Sequence, residues 1–182
     1  MKHLAALTPF ISAVAAIDGF LHTTPDCSIN GGSVGSVLRC NNLRPDTCCG
    51  IDTIDSPFRS VAIRGIQDGY RVQLLGYDGG NCTNRQYKSE NRGSSLICIP
   101  YIDLQYTGCG YSFWSPVRAI SEGKAGCQRP NALVLRDGTE YDLSNLSDDD
   151  FKIITLPSSV DVSVKATKPA DIPGRLKALD IK

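Results

Sequence analysis

The side chains with most chemistry to offer are eight cysteines: Cys27, Cys40, Cys48, Cys49, Cys82, Cys98, Cys109 and Cys127. Thiols hold metals, attack as nucleophiles or pair as disulfides, and their spacing decides among these uses. A structural zinc site wants two cysteines a few residues apart, or histidines nearby. Here the only close pair is the adjacent Cys48 and Cys49, and His22 is the only histidine besides His3. Cysteine or serine nucleophiles need a histidine base, and His22 stands ahead of the first cysteine, in a stretch expected to be exposed. The even count therefore reads as a framework of four bridges built in an oxidising compartment. Cys48 and Cys49 are expected to reach different partners, since a vicinal ring is strained. The rest of the pairing is open.

Carboxylates are the second reactive set. A glycosidase needs only two of them, and Asp68, Asp78, Glu90, Asp103, Glu122, Glu140 and Asp142 stand near turns, with no spacing that singles out a pair. Solvated turn residues account for them equally well. Gly31-Gly32-Ser33-Val34-Gly35 lacks the strand before and the helix after that a phosphate loop requires, and reads as a turn.

The elements that must position these groups begin after residue 16. Met1, Lys2 and His3 precede an apolar stretch, Leu4 to Ile17, with the small-x-small pattern Ala13-Val14-Ala15, so residues 1–16 are expected to be a secretory signal peptide. Interrupted by Pro9, the stretch falls short of the ~20 residues of a membrane span. The full chain has 19 Lys plus Arg and 19 Asp plus Glu, a balance that gives no reason to expect nucleic acid or an anionic membrane as partner. Residues 165–182 contain Pro169, Pro173 and several lysines, and read as a flexible basic tail. Residues 17–164 are then one cysteine-rich β domain.

Within it, Val61 and Ile63 lead through Gly65 to Gly69 into Tyr70, Val72 and Leu74, a hairpin in outline. Ala132 to Arg136 and Thr139 to Leu143 flank Asp137-Gly138, which suits a two-residue type I′ hairpin turn. Leu96 to Ile99, Ile102 to Tyr106, and Val160, Val162 and Val164 read as further strands; Ser147-Asp148-Asp149-Asp150 reads as a helix start. Gly108-Cys109-Gly110 reads as a tight turn. Many short strands joined by turns predict an all-β sandwich or small barrel stapled by disulfides.

Tyr101, Tyr106, Tyr111, Phe113 and Trp114 concentrate aromatic rings in one stretch. If exposed and coplanar, they would form a contact surface for sugar rings or for a protein; as core residues they would carry no function. Asn81-Cys82-Thr83 and Asn145-Leu146-Ser147 are glycosylation sequons, Asn145 the better placed because Cys82 is expected in a bridge.

Glu90-Asn91-Arg92-Gly93-Ser94-Ser95, leading into Leu96, resembles the calcium signature of βγ-crystallin domains. That resemblance implies calcium held by the Glu90 and Ser94 side chains and the Arg92 carbonyl, all hard oxygen donors. Glu90 departs from the family's Asp or Asn at the first position, and no second copy completes the usual pair. The leader, the cysteine count, the single doublet and the glycine-rich turns together resemble the small secreted cysteine-rich, effector-like proteins of filamentous fungi. Hydrophobins also have eight cysteines, but in a pattern with two doublets. The layout implies a secreted, non-enzymatic binder of an extracellular carbohydrate or of a host or competitor protein; the alternatives are a small carbohydrate hydrolase and a calcium-stabilised structural domain.

Overall fold

The computed structural model describes residues 16–28, 35–114, 126–136 and 138–155. The described elements are β1 Ile17–His22, β2 Val37–Leu43, β3 Thr47–Gly50, β4 Ser60–Arg64, β5 Val72–Tyr77, β6 Arg85–Glu90, β7 Leu96–Ile99, β8 Gly108–Phe113, β9 Gly126–Gln128, β10 Ala132–Val134, β11 Glu140–Asp142 and α1 Asp148–Thr155. The first sheet has the order β11-β10-β2-β1-β4-β7 and the second β6-β5-β8-β3-β9. Neither closes on itself, so the expected all-β fold takes the form of a sandwich. Described neighbours pair antiparallel except β3 with β9.

Alternation along each strand builds the core. In register across the first sheet, Tyr141, Leu133, Leu38, Leu21, Val61 and Ile99 form one continuous row, and all are buried. Facing it, Leu74 aligns with Tyr111, and Gly76 with Cys109 and then Cys49. Each large apolar side chain removed from water in these rows is worth about 1.5–3 kcal/mol. The Cys40–Cys49 bridge joins the two sheets through this core. Gly19 makes room beside it, since a Cβ there would lie 2.9 Å from Leu43 Cδ2 and 3.1 Å from Cys109 Sγ.

Three local expectations are corrected. Val61 to Leu74 is not a hairpin: β4 belongs to the first sheet and β5 to the second, and the chain between them changes sheets. Strand β4 is already flanked by β1 and β7, which leaves no free edge for β5. Ile102 to Tyr106 is not a strand but an irregular segment with Asp103 at φ 60°, tied down where the Tyr106 hydroxyl donates to the Pro100 carbonyl. Gly108-Cys109-Gly110 is no turn but the start of β8, the central strand of the second sheet.

The β10–β11 hairpin forms as expected, with a longer turn. Leu135 N–H donates to the Thr139 carbonyl and Gly138 N–H to the Leu135 carbonyl, with Gly138 at φ 89°, the pattern of a three-residue loop ending in a left-handed glycine. Helix α1 starts where its sequence predicts, with Ser147 Oγ accepting from Asp150 N–H. Val160 to Val164, the leader and the tail lie outside the described residues.

Over the outer face of the first sheet, residues 23–28 fold as a strap. Ser60 Oγ accepts from Cys27 N–H and donates to the Thr24 carbonyl, and the Cys27–Cys98 bridge pins the strap to β7. Contrary to the expected exposure, this places His22 in full burial, stacked on Phe20 at 5.9 Å, with neither ring nitrogen hydrogen-bonded among the described residues. Burial, with the nearby Arg64 charge adding to it, lowers its pKa from 6.5 to about 4.

Candidate functional site

Strand β8 separates the aromatic residues that the sequence groups together. Tyr111 faces the core, its hydroxyl donating to the Leu43 carbonyl at 3.1 Å, and Tyr106 is likewise buried. Tyr101 is half-buried elsewhere, beneath the Arg59 guanidinium at 4.3 Å. Only Phe113 and Trp114, at the end of β8, pass beyond the core, and there they meet two residues that the sequence reading missed, Tyr70 and Arg71. Trp114 N–H donates to the Arg71 carbonyl at 2.8 Å, which continues the β5–β8 ladder by one pair and brings the Arg71 guanidinium 3.9 Å from the indole centroid. Phe113 is 47% exposed and Tyr70 42% exposed, and their rings meet edge to face at 5.5 Å and 81°. Strand alternation carries this information, but only after the β5–β8 pairing is known.

The turn with crystallin-like residues positions this surface. Asn91 is buried; its Oδ1 accepts from Val72 N–H at 3.2 Å and its Nδ2 donates to the Tyr70 carbonyl at 2.7 Å. It thereby fixes the backbone on both sides of Arg71. Arg92 and Gly93 take left-handed conformations at φ 44° and 87°, which lets Ser94 N–H reach back to the Asn91 carbonyl at 2.7 Å. Glu90 is exposed, and Ser94 Oγ accepts from Leu96 N–H. Among the described residues no group of three or more His, Cys, Asp or Glu side chains is arranged to hold a metal ion.

Six of the eight cysteines are bridged, as Cys27–Cys98, Cys40–Cys49 and Cys48–Cys82. Cys48 and Cys49 have different partners, as expected. Cys109 and Cys127 remain thiols, which corrects the expectation of four bridges. The reason is geometric. Cys109 aligns with Cys49 and shares its inward face, whereas Cys127 aligns with Cys48 on the opposite face of the sheet. They also stand on strands separated by β3. The Cys109 thiol is pushed up to about 12 by burial, so it is inert as a nucleophile. Gly108 and Gly110 accommodate this arrangement. A Cβ at Gly108 would lie 3.0 Å from Cys48 Sγ, and one at Gly110 would lie 2.8 Å from the Thr47 carbonyl oxygen.

The described carboxylates have ordinary structural partners or none shown. Glu140 pairs with Arg39, Asp78 accepts from Gln86, and Asp142 accepts from Ser144 N–H. Asp68 and Asp103 are exposed on separate connecting segments, Glu90 is exposed at the end of β6, and Glu122 lies outside the described residues. Of the sequon residues, Asn145 is exposed on a turn, while Asn81 donates to Asp52 at 2.6 Å.

A family model matches residues 18–131, more than half of the chain, under the description ARB_05566_N, N-terminal domain. The chain belongs to this family. The matched segment holds all eight cysteines and the Tyr70–Arg71–Phe113–Trp114 surface, and ends where β10 begins. Searches of curated proteins and of solved structures give no match. No helix of the described residues is long and apolar enough to cross a membrane.

Proposed function

We propose that this protein is a secreted, non-enzymatic binder whose contact surface is the Tyr70, Arg71, Phe113 and Trp114 end of the second sheet, and that its partner is an extracellular protein. The observation that carries the reading is a pair of contacts where β5 and β8 end on an ordered backbone, Tyr70 with Phe113 and Arg71 with Trp114. Tyr, Trp and Arg are the side chains that most often dominate protein interfaces, and here they gather where β5 and β8 end. The ring geometry favours protein over sugar. Sugar stacking needs an open, flat aromatic face, whereas Phe113 stands edge-on to both Tyr70 and Tyr111, at 81° and 82°, and one face of Trp114 is taken by Arg71. The three bridges fit an oxidising compartment, and the overall layout resembles secreted effector-like proteins of filamentous fungi.

The test places a photo-crosslinking amino acid at Phe113 and compares capture of extracellular proteins by otherwise wild-type chain, by Arg71→Ala and Trp114→Ala, and by a distant control, Ile54→Ser. Ile54 is the most exposed large apolar residue among the described residues, at 74%. Capture of one protein that is lost in both patch variants and kept in the control supports the reading. Equal capture by all chains overturns it. Cosedimentation with chitin, cellulose or β-glucan that depends on Trp114 overturns it in favour of carbohydrate.

A further inference from the structure

Three cysteines meet at the outer face of the second sheet. Cys127 Sγ lies 3.1 Å from Cys82 Sγ, the sulfur already bonded to Cys48. Cys48 and Cys127 are register partners across the parallel β3–β9 pair, so both present sulfur on the same side to the loop that holds Cys82. Glycine leaves the space they occupy. A Cβ at Gly50 would stand 2.6 Å from Cys82 Sγ and 3.4 Å from Cys127 Sγ, and one at Gly108 would stand 3.2 Å from Cys82 Sγ. The loop reaches the site through two consecutive left-handed residues, Asn81 at φ 43° and Cys82 at φ 61°.

We propose that Cys48, Cys82 and Cys127 form an intramolecular thiol–disulfide exchange site in which Cys82 has two alternative partners. Cys127 gives its proton to solvent and its sulfur attacks Cys82 Sγ. The Cys82–Cys127 bond forms as the Cys48–Cys82 bond breaks, the electron pair leaves on the Cys48 sulfur, and that sulfur takes up a proton. One thiol and one disulfide are present before and after, so no oxidant or reductant is consumed. Attack is by the thiolate, and Cys127 is the exposed one of the two free thiols. Partial burial of the sulfur and the Asp52 charge hold its pKa above the usual thiol value, which makes exchange slow at neutral pH and faster in mild base.

The two forms differ in what is tied down. With Cys48–Cys82 bonded, the loop is anchored to β3, and the edge strand β9 is held by its short ladder to β3. With Cys82–Cys127 bonded, the loop locks β9 onto the sheet, and the Cys48 thiol is left buried beside Leu75 and Tyr77.

The experiment is peptic mapping of the full-length protein in acid, without reduction, after it has been unfolded in denaturant at slightly acidic pH and its thiols trapped there with N-ethylmaleimide. Samples are taken before and after incubation at pH 8.5. The expected map has Cys82 linked to Cys48 in molecules labelled on Cys127, and to Cys127 in molecules labelled on Cys48, with incubation moving label between the two. Cys48→Ser should place Cys82 on Cys127 quantitatively. Cys82 linked to one and the same partner in every wild-type sample overturns the proposal, as does a folded Cys48→Ser protein labelled on both Cys82 and Cys127. Should Cys48→Ser not fold, the wild-type map decides alone.

Discussion

Replacing His22 by leucine should remove a large part of the acid sensitivity of this fold. His22 is fully buried and both its ring nitrogens lack partners among the described residues. Its folded-state pKa is lowered from 6.5 to about 4, chiefly by burial and secondarily by Arg64, against a small opposing effect of Asp26. Above pH 6.5 the ring is neutral in both folded and unfolded chains and contributes nothing to pH dependence. As pH falls from 6.5 towards 4, the unfolded chain takes up a proton that the folded one refuses, so stability drops by about 1.4 kcal/mol per pH unit. The loss levels off below the folded pKa at a total on the order of 3 kcal/mol. His22→Leu has no such loss, and near pH 7.5 it should be close to neutral or mildly stabilising, because it deletes two unsatisfied polar atoms from a buried site. Urea unfolding of both proteins at pH 7.5, 6, 5 and 4 reads the difference directly, since the titrations of other groups largely cancel. A stability gap that widens in favour of the variant as pH falls is expected. Parallel curves at all four values would refute the reasoning, because they would mean that His22 protonates as readily folded as unfolded.

Other perturbations follow from the same geometry. Asn91→Ala strips the hydrogen bonds that hold Tyr70 and Val72, and should lower stability by about 2 kcal/mol in denaturant melts. Gly110→Ala drives a Cβ to 2.8 Å from the Thr47 carbonyl oxygen between two central strands, and should cost about 1–3 kcal/mol, seen as a lower Tm. Removing the Cys27–Cys98 bridge, which spans a sequence separation of 71, should cost more than removing Cys40–Cys49, with a separation of 9; loop entropy puts the two losses at about 4 and about 3 kcal/mol. Trp114 is the sole tryptophan, so Arg71→Ala, which uncovers one face of the indole, should shift its fluorescence emission to the red while far-UV circular dichroism stays unchanged.

Local signals in the sequence locate several elements well. The apolar run Leu96 to Ile99 and the Ser147 cap of α1 each act over a few residues and are found where their residues predict, and Gly138 turns the chain between β10 and β11 as expected though in a longer loop. What escapes is set by pairing at long range. Val61 to Leu74 reads as a hairpin because two alternating segments flank a glycine turn, yet β4 pairs with β1 and β7 in the first sheet and β5 with β6 and β8 in the second. Gly108 and Gly110 suggest a turn because glycine usually frees the backbone; here they give space to the Thr47–Cys48 backbone and the Cys48–Cys82 sulfurs. The proposed contact surface was half legible for the same reason. Phe113 and Trp114 stand out by composition, but Tyr70 and Arg71 join them only through the β5–β8 register, while Tyr106 and Tyr111 leave for the core. The cysteine count was even, but strand alternation sends Cys109 and Cys127 to opposite faces, which parity does not reveal.

That separation of two thiols by a sheet is the structural claim on which the disulfide framework and the exchange site both rest. Mass spectrometry of the intact protein tests it most directly, with alkylation before and after unfolding and again after reduction. The account predicts a gain of about 6 Da on reduction, for three bridges, one label on the native protein and a second only when unfolding exposes Cys109. A gain of about 8 Da with no label before reduction would mean that Cys109 and Cys127 are also bridged, and would contradict it.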